Sequence, residues 1–139
     1  SLPSAGLIPV PSRKISIFMS PFNVHVNRVP ASGVVKRKTH VPGKFHVASR
    51  TEASNENERM ELVIETPDGF SLGIVQIAGR LARRIVCYPE EGAPVEKGKR
   101  FGLIRFGSRV ELFLPQEVSV SVQPGQNVKG GETVMGYFP

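Results

Sequence analysis

The stretch "GLIRFGSRVELFLP", Gly102 to Pro115, carries apolar residues on both sides of a bare Gly107-Ser108 pair. Leu103, Ile104 and Phe106 precede the pair. After it, Val110, Leu112 and Leu114 alternate with Arg109, Glu111 and Phe113. A period of two predicts strands, here two of them meeting at the pair. Glycine inside a strand weakens it and marks a bulge, a bend or a close backbone approach. The pair is therefore read either as a bulge or as a place where the backbone itself is the chemistry.

The same period runs outward along the chain. Strands are expected over 15–19 (ISIFM), 61–65 (ELVIE), 71–78 (SLGIVQIA), 84–88 (RIVCY), 110–114 (VELFL), 118–122 (VSVSV) and 133–138 (TVMGYF). Fourteen Gly and twelve Pro between them fit short strands joined by turns. At most one or two short helices are expected, with 49–59 (SRTEASNENER) readable as a helix or as a polar loop. Residues 1–12, with three prolines, read as an extended lead-in. The fold class is mainly β, in one domain spanning 1–139.

An internal repeat refines the architecture. "GAPVEKGKRFG" (92–102) and "GQNVKGGETVMG" (125–136) place Gly92, Val95, Gly98 and Phe101 at the spacing of Gly125, Val128, Gly131 and Val134. Each unit turns at its glycines and feeds a strand. The pattern resembles the half-motif of lipoyl- and biotin-carrier domains, a sandwich of β-hairpins. Carriers present a modifiable lysine at a tight hairpin tip between small or Met neighbours. Lys97, Lys99 and Lys129 lack that setting, so the architecture is taken and the carrier function is not.

Composition excludes several classes. Hydrophobic content of 40% and charged content of 22% are those of a globular chain rather than a disordered one. No apolar run is long enough to span a bilayer as a helix, and no signal segment opens the sequence. The single Cys87 excludes an internal disulfide and a cysteine metal site, and it reads as a buried small hydrophobe. The three histidines, His25, His40 and His46, show no metal-ligand spacing. A serine hydrolase is equally poorly supported. The G-x-S-x-G elbow is absent around Ser108, and the one aspartate, Asp68, sits in the turn-like "TPDG". The net charge of +6 leaves nucleic acid, an anionic membrane and plain solubility open. Clusters occur at Lys36-Arg37-Lys38 and at Arg80, Arg83 and Arg84. Without Trp, and with most Phe in strand-like runs, stacking on single-stranded nucleic acid is the weaker branch.

Two long segments carry a family resemblance. "ISIFMSPFNVHVNRVPASGVV" (15–35) and "RFGLIRFGSRVELFLP" (100–115), with "VPGKF" (41–45) and "NER" (57–59) in order between them, resemble the phosphatidylserine decarboxylases of the short, archaeal- and bacterial-like type. The resemblance runs over about residues 14–139. It implies a zymogen whose Gly107–Ser108 bond cleaves autocatalytically into a β chain, 1–107, and an α chain, 108–139. Ser108 would attack the Gly107 carbonyl and end as a pyruvoyl group, a covalent cofactor that needs no metal. Glycine suits this attack because it has no Cβ to block the approach.

The resemblance further implies a lyase of phospholipid biosynthesis. Its pyruvoyl ketone would form a Schiff base with the amine of phosphatidylserine, or of an archaeal ether-lipid equivalent, and release the carboxylate. His25, in "SPFNVHVNR" (20–28), matches the position that protonates the product, a task suited to imidazole near neutral pH. His40 and His46 read as surface or structural. The family's upstream aspartate has no counterpart here, so the chain is expected to lack the family's N-terminal segment, and Asp68 does not replace it. The partners implied are a phospholipid substrate, an anionic membrane surface and the chain's own two fragments. A homodimer is left open, and nucleic acid is not expected. The expected location is the cytoplasmic face of a membrane, with Lys36, Arg37 and Lys38 as candidate head-group contacts. The readings kept beside this one are a non-catalytic lipoyl-like scaffold and a basic nucleic-acid-binding β module.

Overall fold

The computed structural model describes residues 7–18, 25–43, 57–78, 85–104, 109–123 and 136–138. Among these residues the chain is all strand and connection, with no helix. The strands are β1 (Ser12–Phe18), β2 (His25–Arg28), β3 (Gly33–Val41), β4 (Arg59–Glu65) and β5 (Ser71–Ile77). They are followed by β6 (Ile85–Cys87), β7 (Pro94–Val95), β8 (Arg100–Ile104), β9 (Arg109–Pro115), β10 (Ser119–Val120) and β11 (Gly136–Tyr137). Six strands form one antiparallel sheet in the order β1-β9-β5-β4-β3-β7. A second sheet has the order β2-β8-β6, and β10 pairs with β11.

The six-stranded sheet is apolar on both faces. On one face Leu72 and Ile74 of β5 pack with Leu62 and Ile64 of β4 and with Val110, Leu112 and Leu114 of β9. Phe101 of β8 closes the same cluster. On the other face Val75 and Ile77 of β5 meet Val63 of β4, Phe113 of β9 and Ile8. Every residue of β9 is consequently buried. A strand covered on both sides reads as a continuous apolar run, which is why "SLGIVQIA" lacks a polar face.

The turns follow their residues. Thr66 Oγ1 accepts from the Phe70 amide, and the Gly69 amide donates to the Thr66 carbonyl, closing the β4–β5 hairpin over Asp68. This is the turn role expected for the "TPDG" segment. In the first copy of the repeat, Gly92 and Gly98 take φ values of 86° and 83°, as a turning role requires. Phe101 is buried at the repeat position. The second copy, 125–136, lies outside the described residues except for Gly136, as does most of the 49–59 segment. Arg59, at its end, opens a strand.

The mainly β expectation holds, in antiparallel sheets that are not closed into a barrel and are compatible with a hairpin sandwich. Three strands fall outside the expected set. β2 is four residues long, β7 is two, and β3 carries the charged run Lys36-Arg37-Lys38. In β3 a bulge between Val35 and Arg37 shifts the register against β4. That extra residue breaks the alternation by which a strand is recognised.

Candidate active site

The site is built where the two sheets share a connection. β8 ends at Ile104 in the small sheet and β9 begins at Arg109 in the large one. Four residues join them, and Gly107 and Ser108 are the last two. These four lie outside the described residues. Their anchors are firmly set. His25, the first residue of β2, pairs in register with Ile104, the last of β8. Arg109 pairs with Phe18 of β1 on one side and with Ile77 of β5 on the other. The fold thus brings the backbone of His25 to one end of the connection, while Ser108 directly precedes the strand at the other end.

Polar groups are buried around these anchors. Gln76 on β5 is 1% exposed and stands opposite Val110 of β9. Its Nε2 donates to Asn27 Oδ1 at 2.7 Å and to the Val86 carbonyl at 3.1 Å, crossing from the large sheet to the small one. The chain is tightly packed here: a Cβ on Gly102 would lie 2.0 Å from Val86 O of the neighbouring strand β6 and 3.0 Å from Gln76 Nε2 of the large sheet. Glycine at 102 is what lets β8 lie against this contact. On the opposite face Arg109 and Glu111 are both buried, with Arg109 Nε 3.3 Å from Glu111 Oε2. Lys14 on β1 adds a second cation 3.5 Å from the same oxygen. Burial lowers the Arg109 guanidinium pKa, and Glu111 opposes that shift. Asn57 Nδ2 donates to the Ala78 carbonyl at 2.7 Å, fixing the chain just past β5.

The other candidate residues fall elsewhere. His40 is exposed on β3 and bonds Glu58 at 2.6 Å, in keeping with a surface role. Lys36, Arg37 and Lys38 do not form one bare cationic face. Lys36 lies 3.5 Å from Glu65, and Arg37 Nη2 donates to the Leu7 carbonyl. Lys38 is mostly covered, and its Nζ reaches the Cys87 carbonyl and Glu90. Cys87 is a free, partly buried thiol, pushed up to about 11 by desolvation despite the nearby Lys38. His46 and the Arg80, Arg83 and Arg84 cluster lie outside the described residues. Among the described residues, no group of three or more His, Cys, Asp or Glu is placed to hold a metal.

Motif reading missed Gln76, Asn27, Asn57, Arg109 and Glu111. The available signal was their position. Gln76 continues the inward alternation of Leu72 and Ile74, where a polar side chain must find a partner.

A family model described as phosphatidylserine decarboxylase matches residues 10–136. The phosphatidylserine decarboxylase proenzyme of Pelobacter propionicus is 55% identical over 123 residues, covering 88% of this chain and 56% of that protein. The proenzyme of Syntrophus aciditrophicus is 50% identical over 128 residues, covering 92% and 60%. That of Gluconobacter oxydans is 53% identical over 125 residues, covering 90% and 56%. The chain spans somewhat more than half the length of these curated relatives. No solved structure matches it.

Proposed function

Because this chain belongs to the phosphatidylserine decarboxylase family, we propose that it is the self-processing core of a pyruvoyl-dependent enzyme. Its reaction converts phosphatidylserine, or an ether-lipid equivalent, to phosphatidylethanolamine and carbon dioxide. The observation that carries the proposal is the anchoring of the strands that flank Gly107-Ser108 in sequence. β8 ends in register with His25 at the start of β2, and β9 begins between β1 and β5.

In processing, Ser108 Oγ attacks the Gly107 carbonyl and the amide becomes an ester. Elimination leaves a carboxylate on Gly107 and a dehydroalanine at 108, and water then releases ammonia to leave the ketone. The surroundings suit a group fixed to a strand end. β9 pairs over all seven of its residues with β1 and over five with β5, so the new N-terminus is held by two strands of the other fragment. The buried carboxamide of Gln76 stands opposite Val110, two residues beyond Ser108. Scission therefore need not separate the fragments. The α chain stays as a central strand of the sheet, and at its far end Phe138 stacks on Phe70, with ring centroids 4.8 Å apart.

A pyruvoyl ketone would supply the electron sink for the bonding electrons left behind as the substrate carboxylate departs as carbon dioxide. His25 gives the proton that replaces carbon dioxide at Cα, since imidazole changes charge near neutral pH. The buried Arg109–Glu111 pair, held further by Lys14, fixes the first residues of β9, directly after Ser108. Exposed Lys36 and Arg37 offer contacts to an anionic leaflet, where each cation contributes about 1 kcal/mol. This membrane surface is assigned to the cytoplasmic face.

The test is Ser108→Ala in the full natural chain, assayed on phosphatidylserine vesicles. One uncleaved chain and no release of carbon dioxide are expected. Cleavage or decarboxylation in that variant would overturn the proposal.

A further inference from the structure

Resting on that reading, we infer that Gln76 is a positioning residue for the reaction, a strut that sets the spacing between the strand carrying His25 and the strand that begins after Ser108. Gln76 stands opposite Val110, two residues beyond Ser108. Its Nε2 holds Asn27, two residues beyond His25, at 2.7 Å. The strut therefore meets each of the two strands two residues along from these positions, one strand in each sheet. The second bond, to the Val86 carbonyl, ties it to β6, the far edge of the small sheet.

The chemistry of the strut argues against simple packing. Leu72 and Ile74 precede Gln76 on the same face of β5, and a third aliphatic residue there would fill the space without polar cost. A carboxamide that is 1% exposed must be satisfied, yet Gln76 Oε1 has no hydrogen-bond partner among the described residues. Burying such an acceptor costs stability. The two Nε2 bonds make orientation between the sheets the return for that cost. A hydrogen bond has a narrow range of length and angle, whereas an apolar contact tolerates sliding. Reacting groups displaced by about 1 Å can lose roughly 100-fold in rate. A misplaced β2 would leave substrate binding and processing largely intact while slowing proton delivery.

The experiment uses the full natural chain and measures kcat per pyruvoyl, with the pyruvoyl content taken from the mass of the α fragment. Gln76→Leu keeps the volume and removes both bonds. Its kcat per pyruvoyl should fall roughly 10- to 100-fold with KM within about twofold of wild type. Ile74→Ala, on the same face of the same strand, serves as the control for lost stability. It should lower the melting temperature and leave kcat per pyruvoyl near wild type. A Gln76→Leu kcat within about twofold of wild type, or an equal fall in Ile74→Ala, would overturn the assignment. Should Gln76→Leu fail to fold, Gln76→Asn and its combination with Asn27→Gln decide. The shortened strut should slow turnover, and the lengthened partner should restore part of it. No recovery in the double variant counts against the strut. A wild-type chain without pyruvoyl or decarboxylation would instead sink the reading on which the inference rests.

Discussion

Gly102→Ala should be among the most damaging single-methyl additions to this chain. The added Cβ would lie 2.0 Å from the Val86 carbonyl oxygen, where an ordinary carbon–oxygen contact needs about 3.3 Å. Relief requires β6 and β8 to part by roughly 1.3 Å. β6 has three register pairs with β8, and one of them, Cys87 with Gly102, is the point of the clash. Overpacking of this kind costs about 1–3 kcal/mol. Loss of the Gln76–Val86 bond adds about 1 kcal/mol, so a total near 3 kcal/mol is expected. For 139 residues the unfolding entropy is about 0.3 kcal/mol/K, which converts that cost to a fall in Tm of about 10 °C. The control is Gly69→Ala, where φ is 90° and no atom lies within 4 Å of the added Cβ. Backbone strain alone then costs about 1 kcal/mol. Urea unfolding and thermal melts of both variants decide the matter. If Gly102→Ala costs no more than Gly69→Ala, the close approach of β6 and β8 at Gly102 is wrong.

Four further variants test individual residues. His25→Ala should lower kcat per pyruvoyl by about 100- to 10,000-fold, measured on protein whose fragments have been weighed. Near wild-type turnover would remove His25 from the reaction. Cys87 holds its proton more tightly folded than unfolded, so its contribution to stability is complete below pH 9 and is lost as pH rises toward about 11. Urea midpoints of wild type and Cys87→Ala should therefore converge over that alkaline range, and a constant gap would contradict the burial of the thiol. Replacing Lys36 and Arg37 with Gln should weaken co-sedimentation with phosphatidylserine vesicles at low salt, and the difference should shrink at high salt. Lys38→Gln should instead lower the melting temperature, because its ammonium is tied to Cys87 and Glu90. Unaltered vesicle binding would return the charged run to the role of a solvated strand.

Strands with clean alternation or an unbroken apolar run were legible in the sequence. "ELVIE" and "VELFL" became β4 and β9 with a residue or two added at their ends, and "SLGIVQIA" became β5. The strand β3 was not legible, because three consecutive cations and a bulge erase the period of two. β2 was visible only as part of a family motif, since four residues carry too little pattern of their own. The Gly107-Ser108 pair stood out for the opposite reason: its residue types conflict with the apolar runs on either side of it. Gln76 was not, because its role depends on Asn27, 49 residues away and in another sheet. Glu111 shows the same limit. Alternation places it on a polar face, and Lys14 and Arg109 make that face part of the interior.

The central claim is that the bond between Gly107 and Ser108 is the one this protein breaks in itself. Its most direct test is the intact mass of the full-length protein, purified from cells in which it decarboxylates phosphatidylserine. The account predicts two fragments divided between these residues. The smaller should resist Edman degradation and weigh one ammonia less than a fragment beginning with serine. An active preparation consisting of a single unbroken chain, or a smaller fragment that begins with an unmodified Ser108, would contradict it.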